Sequence, residues 1–354
     1  MDFAFSEDQI ALVGLAKRIF KDRVTPEALH AVERGEGWDR ALWAELAKSE
    51  LLGLSLPTAV GGSGLGFVET CLMLEQAGRR VAPLPLWSTL VLGADTVSRL
   101  ASEAIQQAWL PGVARGETLL TGTVAAQGAF TGQKDDAGQW RLSGTVGCVP
   151  MASFAAGLVT GTPEGVFLVD LRKKGATIGA QEGTNGMRLG AVTLTDVDAV
   201  WLADATAWET VTTRAETALS AMLLGIANEA LILTARYTTE RQQFERPIAT
   251  FQAVTQRVAD AYVDVETMRV SLWRAAWLLD QGRSATNEAL VAKLYALDGA
   301  HRVVNAAQHL HGGMGFVRDY PLHRYFLMAK QLEFFMGGAA ATATRLGARL
   351  AAEG

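Results

Sequence analysis

The sequence predicts a mainly α protein of the α+β class: an N-terminal helical domain (1–117), a small middle β-barrel or sandwich (118–207) and a C-terminal four-helix bundle (208–354). Three observations predict it. Apolar residues recur at three- and four-residue steps through the first third of the chain, the period of one helix face. Short β-branched runs broken by Gly, Asp, Asn and Pro fill the middle, the texture of closely spaced strands. Long amphipathic segments then run almost to the last residue.

In the first domain Ile10, Val13, Leu15 and Ile19 share helical spacing, as do Leu42, Trp43, Leu46 and Leu51. Ser6, followed by carboxylates, is placed to cap the first helix. Between helices lies Leu56-Pro57-Thr58-Ala59-Val60-Gly61-Gly62-Ser63-Gly64-Leu65-Gly66. Its glycines lack GxGxxG spacing and follow no strand, so it reads as a turn rather than a dinucleotide loop. In the middle domain the strand candidates are Leu119 to Val124, Trp140 to Leu142, Gly157 to Thr160, Val166 to Leu171, Ala191 to Leu194 and Ala199 to Leu202, enough for a small antiparallel barrel or sandwich. Helical periodicity returns over 209–240, 250–281, 284–313 and 320–350, and four such helices can close into a bundle.

Composition narrows the function. Of 354 residues 49% are hydrophobic and 19% charged, a balance that fits a helix-rich globular chain and leaves a surface sparse in charge, which suits an oligomer. The formal net charge of −5 provides no basic field for phosphates, so a nucleic-acid partner is not expected. Cys71 and Cys148 are far apart, without CxxC spacing or neighbouring histidines; both are expected to be buried thiols in a reducing compartment, with no disulfide framework and no metal. The beginning, Met1-Asp2-Phe3-Ala4-Phe5-Ser6-Glu7-Asp8, is acidic where a signal peptide is basic, so the expected location is cytoplasmic. The apolar stretch from Ala218 to Leu233 is interrupted by Asn228-Glu229 and falls short of the about 20 apolar residues of a membrane span, so a buried helix is expected and membrane insertion is not.

Two motifs carry the chemistry: Arg241-Gln242-Gln243-Phe244-Glu245-Arg246-Pro247-Ile248, with Phe251-Gln252 after it, and His311-Gly312-Gly313-Met314-Gly315-Phe316. Leu52-Gly53-Leu54, the segment from Trp109 to Glu117, and Gly144-Thr145 followed by Val166 to Val169 accompany them in order. With these landmarks the chain resembles the acyl-CoA dehydrogenase family over essentially its whole length. The resemblance implies FAD held at a subunit interface, an acyl-CoA substrate oxidised at its α,β bond, tetrameric assembly, a role in lipid or steroid catabolism, and an electron-transfer flavoprotein as acceptor.

It also implies site residues. Arg241 and Phe244 match the family's cofactor pair, a guanidinium fork for pyrophosphate oxygens and a ring for the adenosine half. Gln252 would donate to the phosphates. Gly312 and Gly313 would let backbone amides approach closely, because a side chain there would obstruct them. His309 stands where the family usually has glutamine, with Gln308 displaced by one. Glu245 replaces a turn glycine. The family's flavin-contacting Thr-Glu-Pro loop corresponds to Thr123-Val124-Ala125-Ala126-Gln127-Gly128-Ala129-Phe130, which has no Glu-Pro step, and the aromatic that flanks the ring falls near Cys148. His309 and His311, two apart, point away from each other on a helix and make no metal site.

The catalytic base is the main departure. The family removes the α-proton with a glutamate, and the corresponding segment is Glu333-Phe334-Phe335-Met336-Gly337-Gly338; the thioether of Met336 cannot take that proton. A minority of the family places the base on the first bundle helix, at the position of Ala215. Glu216 is one residue on, rotated by about 100°, and is the candidate base if the alignment slips; otherwise it reads as a first-turn glutamate favoured by the helix dipole. Glu333 is expected to face solvent. The preferred reading is a subunit that pairs with a complete paralogous chain and finishes its FAD site. The alternatives are a self-sufficient homo-oligomeric dehydrogenase using Glu216, a non-catalytic scaffold or acyl-CoA-binding subunit, and, more remotely, a flavin monooxygenase or nitroalkane oxidase on the same fold.

Overall fold

The computed structural model describes residues 4–124 and 129–353. Ala125-Ala126-Gln127-Gly128 of the flavin-loop comparison, and residues 1–3, lie outside the described residues. Helices α1 (Glu7–Arg23), α2 (Pro26–Arg34), α3 (Arg40–Lys48), α4 (Phe67–Arg79), α5 (Thr96–Leu100) and α6 (Glu103–Ala114) come first. Strands follow: β1 (Leu120–Gly122), β2 (Phe130–Lys134), β3 (Trp140–Pro150), β4 (Gly157–Thr162), β5 (Gly165–Asp170), β6 (Ala176–Glu182) and β7 (Arg188–Ala203). The rest is α7 (Ala207–Glu240), a hairpin of β8 (Gln242–Gln243) and β9 (Arg246–Pro247), then α8 (Gln252–Asp280), α9 (Thr286–His311), α10 (Leu322–Glu333) and α11 (Ala339–Glu353). Ser6 caps α1 as expected: its hydroxyl accepts from the Gln9 amide at 3.2 Å and the Gln9 side chain returns to the Ser6 amide at 3.0 Å, a reciprocal box that satisfies two helix-end donors.

Packing divides the chain into two compact units, each drawing on several stretches of sequence. One unit contains residues 30–70 and 83–215. Its seven-stranded sheet runs β1-β4-β5-β7-β3-β2, with β6 also on β7. The long β7 carries the arrangement: β3 pairs along one edge, while β6 and β5 divide the other. Phe130, Leu142, Val149, Leu158, Phe167, Val192 and Leu194 fill the core of this β layer. A nine-residue π-helix, Trp87–Asp95, is buried along its whole length. It is held at Trp87, whose indole donates to the Ala215 carbonyl at 2.9 Å, and at Asp95, which takes a bidentate pair from Arg214 at 2.6 and 2.7 Å. Arg214 also covers the Phe67 ring at 4.0 Å, so this buried cation is met by a carboxylate and an aromatic face, as its desolvation requires.

The other unit contains residues 4–29, 71–82 and 216–353. Within it α4 and α7 approach backbone to backbone: a Cβ added at Gly78 would lie 2.2 Å from the Met222 carbonyl, and one at Gly225 would lie 2.1 Å from that of Glu75. Only glycine permits this contact. Glu75, buried, takes Arg79 at 3.2 Å and Arg269 at 3.6 Å. The α7 helix is long and apolar enough to cross a membrane by length and composition, but 78% of its apolar window is buried inside the protein, as in the core helix that was expected.

Several expectations need correction. The last segment, 320–350, is two helices: Met336 and Gly337 turn at φ +60° and +82°, a left-handed step that ends a helix, so five helices follow residue 207 and not four. The stretches Ala191 to Leu194 and Ala199 to Leu202 are one strand, since Asp196 at φ +53° kinks β7 without breaking it. Strands β2 and β6 went unforeseen because most of their residues are exposed and few are β-branched. Cys71 is buried, but Cys148 is exposed and left-handed at φ +57°, at a bulge between Val146 and Val149.

Candidate functional site

The α7 helix ends at Glu240, and the next residues form the tight β8–β9 hairpin. Gln243 pairs with Arg246, leaving Phe244 (φ +53°) and Glu245 (φ +63°) as the positive-φ pair that a two-residue hairpin turn demands. The Ile248 amide donates to the Arg241 carbonyl at 2.8 Å, closing the hairpin onto the start of α8, where Gln252 is the first helical residue. Phe244 is 86% exposed and meets Phe251 edge-on at 6.1 Å, so its ring is not part of the core. Arg246 stacks over Phe251 at 4.3 Å. The side chains of Arg241 and Gln252 are exposed and make no hydrogen bond or ion pair among the described residues. An unspent guanidinium, a free amide and a helix N-terminus are the donor set that a pyrophosphate needs.

The second motif stands at the end of α9. Gly312 closes the helix at φ +56°, ψ −136°, backbone that only glycine adopts easily. A Cβ on Gly312 or Gly313 would meet nothing within 4 Å, so this turn presents open backbone. Its anchor was missed in the sequence. His311 is buried, lies on the Tyr237 ring at 4.3 Å and 20°, and bonds through Nε2 to the Tyr320 hydroxyl at 2.9 Å. Its Nδ1 faces the Ala307 carbonyl at 2.8 Å; a carbonyl only accepts, so Nδ1 carries the proton and Nε2 accepts from Tyr320. Burial lowers the His311 pKa and raises that of Tyr320, which keeps both neutral. Tyr237 is also the residue whose carbonyl takes the Arg241 amide at 2.8 Å. The Tyr237–His311 stack therefore joins the end of α7, with Arg241, to the Gly312-Gly313 turn. His309 is exposed on the last turn of α9, whereas Gln308 is packed beneath Gly315 and its Oε1 is buried without a partner.

The base region is a closed ion network. Glu216 is fully buried at the tenth residue of α7, beyond the first turn, so the helix-dipole reading is replaced by pairing. Its Oε1 accepts from Lys293 at 3.1 Å and from the Arg345 guanidinium. Lys293, itself fully buried, donates also to the carbonyl of Met336 at 2.6 Å. Burial pushes the Lys293 ammonium down and the Glu216 charge opposes it. The other carboxyl oxygen of Glu216 is buried with no partner. Oε1 of this carboxylate is thus engaged by two cations at once. Glu333, expected in solvent, is partly buried and bonded to Lys330 at 2.9 Å and His301 at 3.3 Å. Among the described residues no group of three His, Cys, Asp or Glu could hold a metal ion. The signal for this network was Lys293, a lone charge on an otherwise apolar face between Leu290 and Leu297.

Comparison with known proteins agrees with this architecture. The family model for the N-terminal domain of acyl-CoA dehydrogenases matches residues 6–117 and that for the C-terminal domain matches 208–351. Acyl-CoA dehydrogenase FadE27 of Mycobacterium tuberculosis is 35% identical over 99% of this chain and 99% of its own length. Among solved structures, the Tcur3481-Tcur3483 steroid ACAD G363A variant matches at TM-score 0.94 and 42% identity, over 98% of each chain. The ChsE4-ChsE5 complex from Mycobacterium tuberculosis matches at 0.93 and 32%, over 99% of each. The chain belongs to the acyl-CoA dehydrogenase family.

Proposed function

We propose that this chain is the cofactor-completing subunit of a two-component, FAD-dependent acyl-CoA dehydrogenase that converts an acyl-CoA thioester to its 2-enoyl form in the cytoplasm. The observation that carries the reading is the ion network. Met336 stands where the family's base would be, and the Glu216 carboxylate is tied through Oε1 to Lys293, which also holds the Met336 carbonyl, and to Arg345, so neither base position offers an unpaired carboxylate. The cofactor-facing groups are in the opposite condition, since Arg241, Phe244 and Gln252 are exposed. What supports a paralogous partner is the similarity to Tcur3481-Tcur3483 and to the ChsE4-ChsE5 complex; that the first is a steroid ACAD supports a bulky acyl group.

In this reading Arg241 pairs phosphate oxygens, the Gln252 amide and the α8 N-terminus add donors, Gly312 and Gly313 bring backbone amides near, and Phe244 covers an apolar face. Hydride acceptance from the β-carbon is the chemistry that FAD supplies. The partner would provide the base and the donors to the thioester carbonyl, which must act together on so weak an acid; an electron-transfer flavoprotein would collect the electrons. The test is flavin per chain after desalting, with this chain expressed alone and beside a complete paralogue. Little flavin alone and near-stoichiometric flavin in the pair is expected. Full occupancy alone, with turnover abolished by Glu216→Gln, would overturn the reading in favour of the self-sufficient enzyme.

A further inference from the structure

Arg241 and the Gly312-Gly313 turn are distant in sequence, yet each stands one short step from the same pair of stacked rings. Arg241 is clamped through its backbone. Its amide donates to the Tyr237 carbonyl at 2.8 Å, closing the last turn of α7, and its carbonyl takes the Ile248 amide at 2.8 Å. On the other side His311 is the last residue of α9, and the Gly312 amide caps that helix on the Gln308 and His309 carbonyls, so the turn begins where His311 ends. Tyr237 and His311 lie ring on ring at 4.3 Å and 20°, and the Tyr237 hydroxyl reaches the His311 carbonyl at 3.5 Å. The imidazole is fixed in its plane by Ala307 at Nδ1, 2.8 Å, and by Tyr320 at Nε2, 2.9 Å. Apolar packing is looser just behind the rings. A shallow groove lined by Leu231 and Thr234 of α7, Val258 and Ala261 of α8, and Ala307 and Leu310 of α9 lies within two turns of the stack on α7 and α9. Close packing fixes the distance between neighbouring elements; at this end of the bundle the ring pair spans it.

We infer that Tyr237 and His311 are positioning residues for a phosphate-bearing ligand: the stack holds Arg241 and the Gly312-Gly313 amides at the separation at which both engage one pyrophosphate. The inference rests on the cofactor reading proposed above and adds which residues set its geometry. The ligand-facing groups have little else to place them. The Arg241 side chain is exposed and makes no hydrogen bond or ion pair among the described residues, and a Cβ at Gly312 or Gly313 would meet nothing within 4 Å. A long side chain gives up rotamer freedom when it pairs a ligand, and groups placed beforehand give up less. A backbone amide has no rotamer to change, so its position depends wholly on the helix that carries it. Binding shared between two helices is therefore tight only while the distance between them is held. His311, buried, does this without touching the ligand.

The test is a double-mutant cycle read as flavin affinity, with the paired assembly stripped of cofactor and titrated with FAD. Tyr237→Leu removes the ring and raises the flavin dissociation constant about tenfold. Tyr237→Phe keeps the ring and stays within about twofold of wild type. In an Arg241→Ala background the effect of Tyr237→Leu shrinks to about threefold or less, because the group it places is gone. Where Tyr237→Leu does not assemble, His311→Leu breaks the same stack from α9 and is carried through the same cycle with the same expectations. Equal losses in the two backgrounds would show a general structural role and overturn the inference, as would an unchanged dissociation constant for the stack-breaking variant. An unchanged dissociation constant for Arg241→Ala alone is a separate outcome: it would overturn the cofactor reading of Arg241 and, with it, the premise of the stack's role.

Discussion

The ammonium of Lys293 lies 2.6 Å from the carbonyl oxygen of Met336. That bond reaches from the middle of α9 to the left-handed break between α10 and α11, and through Glu216 at 3.1 Å it also ties in α7. A single buried cation thus fixes the loop at Met336. Holding a charge in the core is unfavourable unless its partners remain, so the lysine, the glutamate and the loop geometry are mutually dependent.

The first prediction follows from that dependence. Lys293→Met removes one of the two cations facing a fully buried carboxylate and leaves the Met336 carbonyl without its donor. Breaking a buried pair from one side costs about 3–5 kcal/mol. Lys293→Met combined with Glu216→Leu should recover the part due to the stranded carboxylate, because an apolar pair of similar volume is often neutral in such a place; about 1–3 kcal/mol should persist for the orphaned carbonyl. Denaturant unfolding of the two single variants and the double variant measures the cycle. A double variant no more stable than Lys293→Met would mean that packing, and not the charge pair, sets the cost.

Much of this chain was legible before any coordinates, and the reason is physical. Helix periodicity survives in sequence because one face of each helix is apolar, and β4 and β5 were found because they are buried and β-branched. Strands β2 and β6 lie at the margin of the sheet with mostly exposed residues and few β-branched ones, so they carry no such contrast. Motif spacing singles out Arg241, Phe244 and Gln252, and their exposure fits the role proposed for them. The sequence hid what depends on long-range meeting: Lys293 reaches Glu216 across 77 residues, and Tyr237 reaches His311 across 74. Cys148 misled because a cysteine is usually buried, while a bulge in β3 turns this one outward.

His311 provides a pH test. Burial depresses its folded pKa, while the unfolded chain keeps a value near 6.5. Above about pH 6.5 neither state is protonated and the full stability is present. As pH falls below that, the unfolded chain takes up a proton that the folded one refuses, and stability declines by at most about 1.4 kcal/mol per pH unit until the folded pKa is reached. His311→Phe preserves the stack on Tyr237 and removes the titration. Stability followed from about pH 8 to 5 should therefore fall less steeply in the variant; parallel curves would show that His311 is not the group responsible.

The contact of α4 with α7 offers a case where two effects oppose. Gly225→Ala gains up to about 1 kcal/mol of helix propensity. The new methyl, however, would lie 2.1 Å from the Glu75 carbonyl oxygen and 2.8 Å from the Arg79 amide, backbone atoms that cannot rotate away. Overpacking of this kind costs about 1–3 kcal/mol or more, so a net loss of stability and a lowered unfolding midpoint are expected. An unchanged or raised midpoint would mean that the two helices separate at little cost.

Arg241 and Phe244 distinguish a cofactor site from an ordinary surface. Both are exposed, and Arg241 has no partner among the described residues, so an alanine at either position removes no internal contact that matters to folding; surface changes of this sort stay within about 0.5 kcal/mol. If Arg241 pairs a pyrophosphate of FAD, Arg241→Ala in the paired assembly should instead lose charge-assisted bonds worth about 1.5–3 kcal/mol, which is roughly a 10- to 150-fold rise in the flavin dissociation constant. Phe244→Ala should weaken flavin binding less, since it removes apolar cover and no charge. The readout is flavin fluorescence on titration into the stripped complex, with the unfolding midpoint of this chain as control. Loss of flavin with an unchanged midpoint assigns Arg241 to the cofactor; equal flavin affinity in wild type and Arg241→Ala would remove Arg241 from the site and leave the exposed guanidinium without a function in this assembly.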